Sequence, residues 1–245
     1  MTGQTRCPNT ERSFEAPRSG DPTISEHHTE PASAEPRRLR GTGERSPLAD
    51  PAWSYIEKTS LDDFTTEDWA QLDAQRAPYL AEQVARQALD MLAAQKHAPS
   101  FGYQINNYEH CLQAATLALR DGRDEETVVC TLFHDLGFVV CNETHGAFAA
   151  TLLRPYVSER NVWMLVRHMY FQTVHCPSHP AIDPNLRERW RGHPHFDYAA
   201  DWVARYDQNS IDAKIDTLPL ADFEPMVQRV FSRPPKAVPI PGLED

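Results

Sequence analysis

The chain has 245 residues, 40% of them hydrophobic, which is enough for one sizeable core in a single domain flanked by tails. Its net charge of -11 argues against non-specific binding to nucleic acid or anionic membranes, because both attract basic surfaces. The sequence has neither an apolar run of the roughly 18 to 20 residues that span a membrane nor an apolar N-terminal signal, so we expect a cytoplasmic protein that acts on a small molecule.

Composition divides the chain into a domain and two tails. Residues 1–50 combine Pro, Ser, Thr, Glu and Arg with almost no aliphatic residues, and such a segment cannot bury enough surface to offset its ordering entropy. We predict a disordered tail over 1–50, a helical domain over 51–235 and a mobile C-terminal tail over 236–245.

Residues 62–69 are predicted to be a capped helix start or a linker, and three helical patterns follow in the first half of the domain. Apolar residues recur at three- and four-residue intervals over 78–95, and a second such pattern runs over 106–120. A third begins at a run of three acidic residues, which suit the positive end of a helix dipole, and it ends at Gly137. The adjacent His134 and Asp135 therefore lie in its final turn.

The second half of the domain contains four short helical patterns and one long irregular segment. In chain order they are a helix that Asn142 or Thr144 caps and Pro155 ends, a helix that Ser158 caps, an irregular segment over 174–194, a helix over 196–206 and a helix over 220–231. The first two contain His145 and His168, and the third brings Asp207 to its end. No strand-like alternation of useful length occurs, so the predicted fold class is all-α.

The His134-Asp135 doublet closes a strongly apolar run. A buried imidazole or carboxylate costs several kcal/mol unless it is paired or bound to a metal. Five predicted helices carry a histidine or aspartate within or beside an apolar stripe, which is typical of a site inside a helical bundle. The candidate ligands are His110, His134, Asp135, His145, His168 and Asp207.

Imidazole and carboxylate ligands without thiolates suit iron, manganese, zinc or magnesium. Four imidazoles and two carboxylates are too many for one ion with open positions, but they fit two ions if Asp135 bridges them. Adjacent residues on a helix point about 100° apart, so His134 can bind one ion while Asp135 reaches both. Each histidine taken alone could instead be structural, and Asp207 could cap a following helix or pair with Arg205.

The order of these residues resembles the metal motif of the HD-domain superfamily, which is a histidine, a His-Asp doublet and a distant aspartate. These positions are filled here by His110, His134, Asp135 and Asp207. The segments that contain His145 and His168 look like the extra-histidine segments of the mixed-valent diiron HD-domain oxygenases. That subgroup includes phosphonate-cleaving oxygenases and, more distantly, myo-inositol oxygenase.

The resemblance implies an HD-domain helical bundle with a diiron site. One iron would be held by His110, His134, Asp135 and Asp207, and the other by His145, His168 and the shared Asp135. The cofactor would be an Fe(II)/Fe(III) pair that uses O2 to cleave a C-C or C-P bond of a small hydroxylated substrate.

Two features depart from the phosphonate-cleaving members. Those enzymes carry a tyrosine, which seals the iron site, and, three residues later, a glutamate before the first histidine. Here no such glutamate exists, and we expect Tyr103 to serve as a substitute gate. Gln172 replaces a lysine that contacts phosphonate, and a neutral amide is a poor partner for a dianion. We therefore expect a less charged substrate, with Tyr103 and Gln172 as catalytic candidates and Gln104 and Tyr170 as substrate-binding candidates.

A hydrolytic function is the alternative hypothesis. Metal-dependent hydrolysis of nucleotides or other phosphate esters, with Mn or Mg, is the commonest activity of the superfamily, and there the metal generates a hydroxide nucleophile. Such hydrolases need basic residues for phosphate, and no clear Lys or Arg set accompanies the doublet, which favours the oxygenase. The third hypothesis, a regulatory metal-binding module without turnover, fits the full ligand set poorly.

Overall fold

The computed structural model of the chain describes residues 52–238. The predicted tail over 1–50, and residues 239–245 of the predicted C-terminal tail, lie outside the described residues. Over 52–238 all regular structure is helical and no strand occurs, which confirms the predicted all-α class. The α-helices are α1 (Thr66–Ala93), α2 (Asn107–Arg120), α3 (Glu125–Phe133), α4 (His145–Leu153), α5 (Glu159–Gln172), α6 (Phe196–Trp202) and α7 (Leu220–Phe231).

Helix α1 joins two predicted features, because it begins inside the segment 62–69, predicted as a capped helix start or a linker, and continues through the helix predicted from Pro78. The Thr65 side chain accepts the backbone N–H of Asp68, and the Asp68 carboxylate accepts the backbone N–H of Thr65, which makes a reciprocal capping box. Pro78 lies inside the helix. The apolar periodicity marked only the second half of α1 because that half packs on the core; its buried residues are Ala85, Ala88, Leu89 and Leu92.

Helices α2 and α3 pack against each other. Capping residues and a glycine set the start of α2, the loop between the two helices and the start of α3. Asn106 and Glu109 form a second capping box at the start of α2. The connection places Gly122 at a φ of 74°, a backbone conformation that favours glycine. Asp124 then caps α3 by accepting the backbone N–H of Thr127 at 2.9 Å.

The chain leaves α3 about one turn earlier than the predicted end at Gly137. The helix ends at Phe133, and His134 keeps helical dihedral angles while tight turns follow, in which the Phe138 N–H bonds to the Asp135 carbonyl at 2.9 Å. The predicted boundary is wrong, but His134 and Asp135 still stand directly at the C-terminal end of a buried helix.

Gly146 lets α4 and α5 approach closely. A Cβ at this position would lie 2.4 Å from the backbone oxygen of Leu165 and 3.2 Å from the ring of His168. The absence of that Cβ brings the first residue of α4, His145, beside His168.

The predicted side-chain caps of α4 and α5 are not formed. A 3-10 helix over Asn142–Thr144 leads directly into α4. At α5, Ser158 occupies the cap position, but the bond runs from its backbone N–H to Glu126 Oε1 at 2.7 Å. Helix α5 begins after Ser158, as predicted. The hydrogen-bond partner of Ser158 is a residue of α3, and the sequence around Ser158 gives no sign of it.

The helix predicted over 196–206 changes type partway. Helix α6 ends at Trp202, and a π-helix over Val203–Asp207 follows and ends on a buried Asp207. A π-helix packs an extra residue into its turn, and short π segments are frequent at functional sites. The irregular segment predicted over 174–194 contains a short 3-10 helix over Leu186–Trp190.

Helix α7 closes the core against α1 and α3 and occupies its predicted range. Beyond it, Lys236 donates its backbone N–H to the Pro155 carbonyl at 2.8 Å, so the beginning of the predicted tail over 236–245 is attached to the domain. Of the helices in the described part of the chain, none is both long enough and apolar enough to cross a bilayer.

Candidate metal centre

The six candidate ligands meet in the interior of the domain. Each is at most 9% exposed, and they come from α2, the end of α3, α4, α5 and the π-helix. Three overlapping triplets have ligand atoms within 4.8 Å of one another: His110, His134 and Asp135; His134, His168 and Asp207; and Asp135, His145 and His168.

The proton positions on the four imidazole rings follow from their backbone partners. Each Nδ1 contacts a carbonyl oxygen: Ser210 for His110 at 2.8 Å, Thr131 for His134 at 2.7 Å, Asn142 for His145 at 2.5 Å and Leu165 for His168 at 2.8 Å. A carbonyl oxygen only accepts, so each Nδ1 must carry a proton and donate it. In the neutral ring each Nε2 is then left with a free lone pair.

The four Nε2 atoms face each other in two pairs. His110 Nε2 lies 3.0 Å from His134 Nε2, and His145 Nε2 lies 2.9 Å from His168 Nε2. Two lone pairs at this separation repel, and a proton can join them only if one ring becomes positively charged. Each pair of rings therefore favours a cation.

Asp135 lies between the two histidine pairs. Its Oδ1 is 3.1 Å from His168 Nε2 and 3.2 Å from His145 Nε2, which form the second pair. On the side of the first pair, its Oδ2 is 3.6 Å from His110 Nε2 and its Oδ1 is 3.6 Å from His134 Nε2. One carboxylate thus reaches both pairs, which is the position that the bridging hypothesis requires.

Asp207 lies beside the first pair. Its Oδ1 is 3.5 Å from His110 Nε2 and 3.7 Å from His134 Nε2, and it accepts a hydrogen bond from Gln172 Nε2 at 3.1 Å. Its Oδ2 is buried and has no hydrogen-bond partner within 52–238. An uncompensated carboxylate oxygen is costly in the interior, and a cation at the first pair would satisfy it.

The two carboxylates make the cluster electronegative. Burial raises the pKa of Asp135, but the neighbouring histidines, His134 foremost, outweigh burial and hold that pKa well below its usual range. Burial likewise opposes ionisation of Asp207, and hydrogen bonds from the first histidine pair lower its pKa. For His110, burial lowers the pKa, but Asp207 and Asp135 more than offset this and raise it to about 9. The cluster therefore prefers positive charge, either as protons on the rings or as metal ions.

The donor set fits metal ions that prefer nitrogen and oxygen. Backbone carbonyls that receive the Nδ1 protons fix the ring orientations and make each Nε2 a better ligand. No cysteine of the described part belongs to any of the three triplets, so ions that select thiolates are not favoured. Arg205, which could have paired with Asp207, instead binds Asp121 at 3.0 Å.

A cavity of about 120 Å³ opens onto the cluster. His110, Asp135 and His145 lie in its wall, and the rest of its lining is apolar or neutral. No lysine or arginine belongs to this lining among the residues that the structure describes. Phe101 lines the cavity with a φ of 53°, which is unusual for a residue with a Cβ, and strained backbone conformations of this kind cluster at functional sites.

The structure places both catalytic candidates in the cavity wall. Tyr103 is 60% exposed and stands where the cavity meets solvent. Gln172 lines the cavity as well, but its side chain donates to Asp207. This contact makes Gln172 a positioning residue for a candidate ligand in addition to a wall of the cavity.

The two substrate-binding candidates lie outside the cavity lining. The Gln104 side chain accepts the backbone N–H of Ala213 at 3.2 Å. Tyr170 packs against Trp190 with ring centroids 5.4 Å apart. Tyr170 follows His168 by two positions, which is roughly 200° around the helix, so the two side chains point to opposite faces of α5. Adjacency in sequence was a poor guide here.

Three residues that support the cluster were not identified from the sequence. Asn107, one turn before His110, donates to the Asp135 carbonyl at 3.0 Å. Its i, i+3 spacing from His110 puts the two side chains on one face of α2, and this was the available signal that it lies near the cluster. The ring of Trp202 packs against the ring of His134, with the two centroids 5.2 Å apart. Ser210 supplies the carbonyl partner of His110 from 100 residues away, for which the sequence contains no signal.

Fold and site together define an all-α domain with a buried histidine and aspartate cluster that could hold metal ions. The sequence matches no known family model, and comparison with curated proteins finds no similar sequence.

Proposed function

We propose that the chain is a metal-dependent enzyme of the HD-domain type, a diiron oxygenase that uses O2 to oxidise and cleave a small hydroxylated substrate. The observation that carries the proposal is that Asp135 lies between two histidine pairs, in each of which the two Nε2 atoms face each other. A single ion would leave one of these pairs to be compensated by a proton alone, although its geometry suits a second ion equally well.

The ligand assignment follows the two pairs. His110, His134 and Asp207 would hold one iron and His145 and His168 the other, with Asp135 shared between them. When bound, an Fe(II)/Fe(III) pair supplies Lewis-acid and one-electron redox chemistry with O2. The protein orients the ligand rings through carbonyl oxygens and holds Asp207 through Gln172.

The size and the lining of the cavity favour a small and uncharged substrate. At about 120 Å³ it is smaller than most ligand pockets, and its polar lining groups besides the ligands are neutral. A phosphate ester or a phosphonate would find only the metal ions and the ligand histidines as cationic partners, because the lining contains no lysine or arginine to bind the remaining oxygens of a dianion. This favours cleavage of a C-C bond over a C-P bond, and oxidation over phosphate ester hydrolysis.

The decisive experiment is metal analysis and EPR on protein purified anaerobically. We expect two irons per chain, a coupled mixed-valent signal and O2 consumption with a small polyol as the probe. Phosphate release from nucleotides with Mn or Mg, without O2 consumption, would replace the proposal with the hydrolytic alternative.

A pair of histidine variants tests the second metal position. His168→Gln removes a ligand of the second pair, so we expect about one retained iron and loss of the coupled EPR signal. His179→Gln is the matched control, because His179 is exposed and lies outside the cluster. Two irons and an unchanged signal in His168→Gln would contradict the assignment.

A further inference from the structure

We infer that the chain has a second binding site, for a phosphate group carried by a small molecule, in a cleft between the end of α4, α5 and the segment after α7. Arg154, Arg167, His193, His195 and Lys236 line this cleft, termed the basic cleft, which has a volume of about 510 Å³. It shares no lining residue with the cavity of the metal centre.

Arg154 and Arg167 have no acidic partner within 52–238. The Nε atom of each is buried and lacks a hydrogen-bond acceptor there. Every other arginine in this range except Arg189 pairs with an acidic side chain. The chain has 35 acidic and 24 basic residues, so acidic partners are abundant, and two unpaired arginines in one cleft point to an external anion.

The Arg167 guanidinium is held in place by aromatic rings. Its central carbon lies 4.7 Å from the ring centroid of Trp163 and 5.5 Å from that of Trp190. Trp163 in turn stacks on His193, with ring centroids 4.3 Å apart and an angle of 12° between the planes. Stacking uses the face of the guanidinium and leaves its in-plane N–H donors for a ligand.

The basic cleft has a positive electrostatic character. Glu159 is its only acidic lining residue among those described, and the Lys236 ammonium is fixed at the cleft by a 2.6 Å bond to the Val157 carbonyl. Burial and the neighbouring His195 and Arg167 lower the pKa of His193.

Phosphate is the anion that best matches this set of donors. Two guanidinium groups and an ammonium suit a dianion with several acceptor oxygens, because each guanidinium can bind two oxygens at once. Val162, Val166 and Ala237 give the remainder of the basic cleft an apolar wall for the rest of the molecule. The volume lies within the range of small-molecule sites.

A ligand in the basic cleft would connect the two helices that supply the second histidine pair. Arg154 caps the C-terminal end of α4, which begins at His145, and Arg167 precedes His168 on α5. Consecutive helix residues point about 100° apart, which directs Arg167 to the basic cleft and His168 to the cluster.

The test is to titrate the metal-loaded full chain with inorganic phosphate, with binding measured by calorimetry and stability measured as the melting temperature. We expect saturable binding at millimolar concentrations or below and a rise in melting temperature.

The double variant R154M/R167M should bind phosphate at least tenfold more weakly. R189M is the matched control, since it removes an arginine that is also unpaired but lies outside the basic cleft, and it should bind as the wild type does. Unchanged binding in R154M/R167M, or no saturable binding by the wild type, would overturn the inference.

A second measurement does not depend on the folding of the double variant. Arginine Nε–H resonances of the wild-type chain, assigned with R154K and R167K, should shift with phosphate at Arg154 and Arg167 and not at Arg189. Phosphate bound directly to the metals would leave these resonances unchanged and would lose its affinity in Asp135→Ala. That result would also overturn the inference.

Discussion

Among single residues, Asp135 connects the largest part of the candidate metal centre. Its two oxygens lie within 3.6 Å of an Nε2 atom in each histidine pair, whereas the Nε2 atoms within 4 Å of Asp207 both belong to the first pair. The two carboxylates therefore have different consequences when they are removed.

We expect Asp135→Ala to lose both metal ions and Asp207→Ala to keep about one. The reason is that Asp135 is shared, while the second histidine pair with Asp135 remains complete without Asp207. Metal content per chain after desalting is the measurement. Asp201→Ala, at a carboxylate that pairs with Arg123 away from the cluster, should retain both ions. Two equivalents of metal in Asp135→Ala would show that this carboxylate does not bridge.

At the scale of elements, the contact of α4 with α5 sets the geometry of the second histidine pair. Gly146 faces the Leu165 carbonyl, and this carbonyl also receives the Nδ1 proton of His168. A side chain at position 146 would therefore disturb both the spacing of the helices and the orientation of a candidate ligand.

Gly146→Ala tests this dependence. Because a Cβ would lie 2.4 Å from a backbone atom, the helices must move apart, at a cost of about 1 to 3 kcal/mol of unfolding free energy. We expect the second metal position to be weakened while the first persists, as measured by metal content and EPR.

Gly122→Ala is the control for Gly146→Ala. It strains a position with a φ of 74° but meets no atom within 4 Å. It should lower the melting temperature and leave metal content unchanged. Equal metal content in both variants would contradict a role of helix spacing in the second position.

At the scale of the whole molecule, Glu126 connects α3 to α5 and to the segment after α7. Its carboxylate accepts from the backbone N–H of Ser158 at 2.7 Å, from Asn161 Nδ2 at 2.8 Å and from Arg233 Nη1 at 2.8 Å. Burial raises the pKa of Glu126, but these donors outweigh burial and lower it to about 2. The bonds contribute most to folding when the carboxylate is ionised.

Glu126 should make stability dependent on pH in the acid range. Its pKa is lower in the folded state than in the unfolded chain, so the contribution is complete above the unfolded pKa of about 4.5 and is lost as pH falls towards 2. Glu126→Gln should cost about 1 to 2 kcal/mol at pH 7, and the difference from wild type should shrink below pH 4. Urea unfolding at several pH values measures it.

Glu125→Gln is the matched control, because it makes the same charge change in the same helical turn. Glu125 pairs with an exposed arginine, Arg229, so its loss should cost well under 1 kcal/mol. A pH-independent cost in Glu126→Gln, or an equal cost in Glu125→Gln, would contradict the role assigned to Glu126.

Local sequence signals predicted the helices better than their ends. The bounds of α7 and the start of α2 near residue 106 follow from apolar periodicity, which acts within a few residues. The start of α1 at Thr66 was left open between a capped helix start and a linker over 62–69, because the first half of α1 is exposed and lacks an apolar stripe. The missing side-chain cap at Ser158 depends on Glu126, a distant partner.

The sequence by itself determined the all-α class and the six candidate ligands, since helical periodicity and buried ionisable residues are visible in the order of amino acids. Only the tertiary structure decided that the imidazoles form two facing pairs around Asp135, that Gln104 and Tyr170 lie outside the cavity, and that Arg154 and Arg167 line a cleft without acidic partners. These features depend on helix rotation and on contacts between residues far apart in the chain. A pattern of a few residues along one helix contains no information about either.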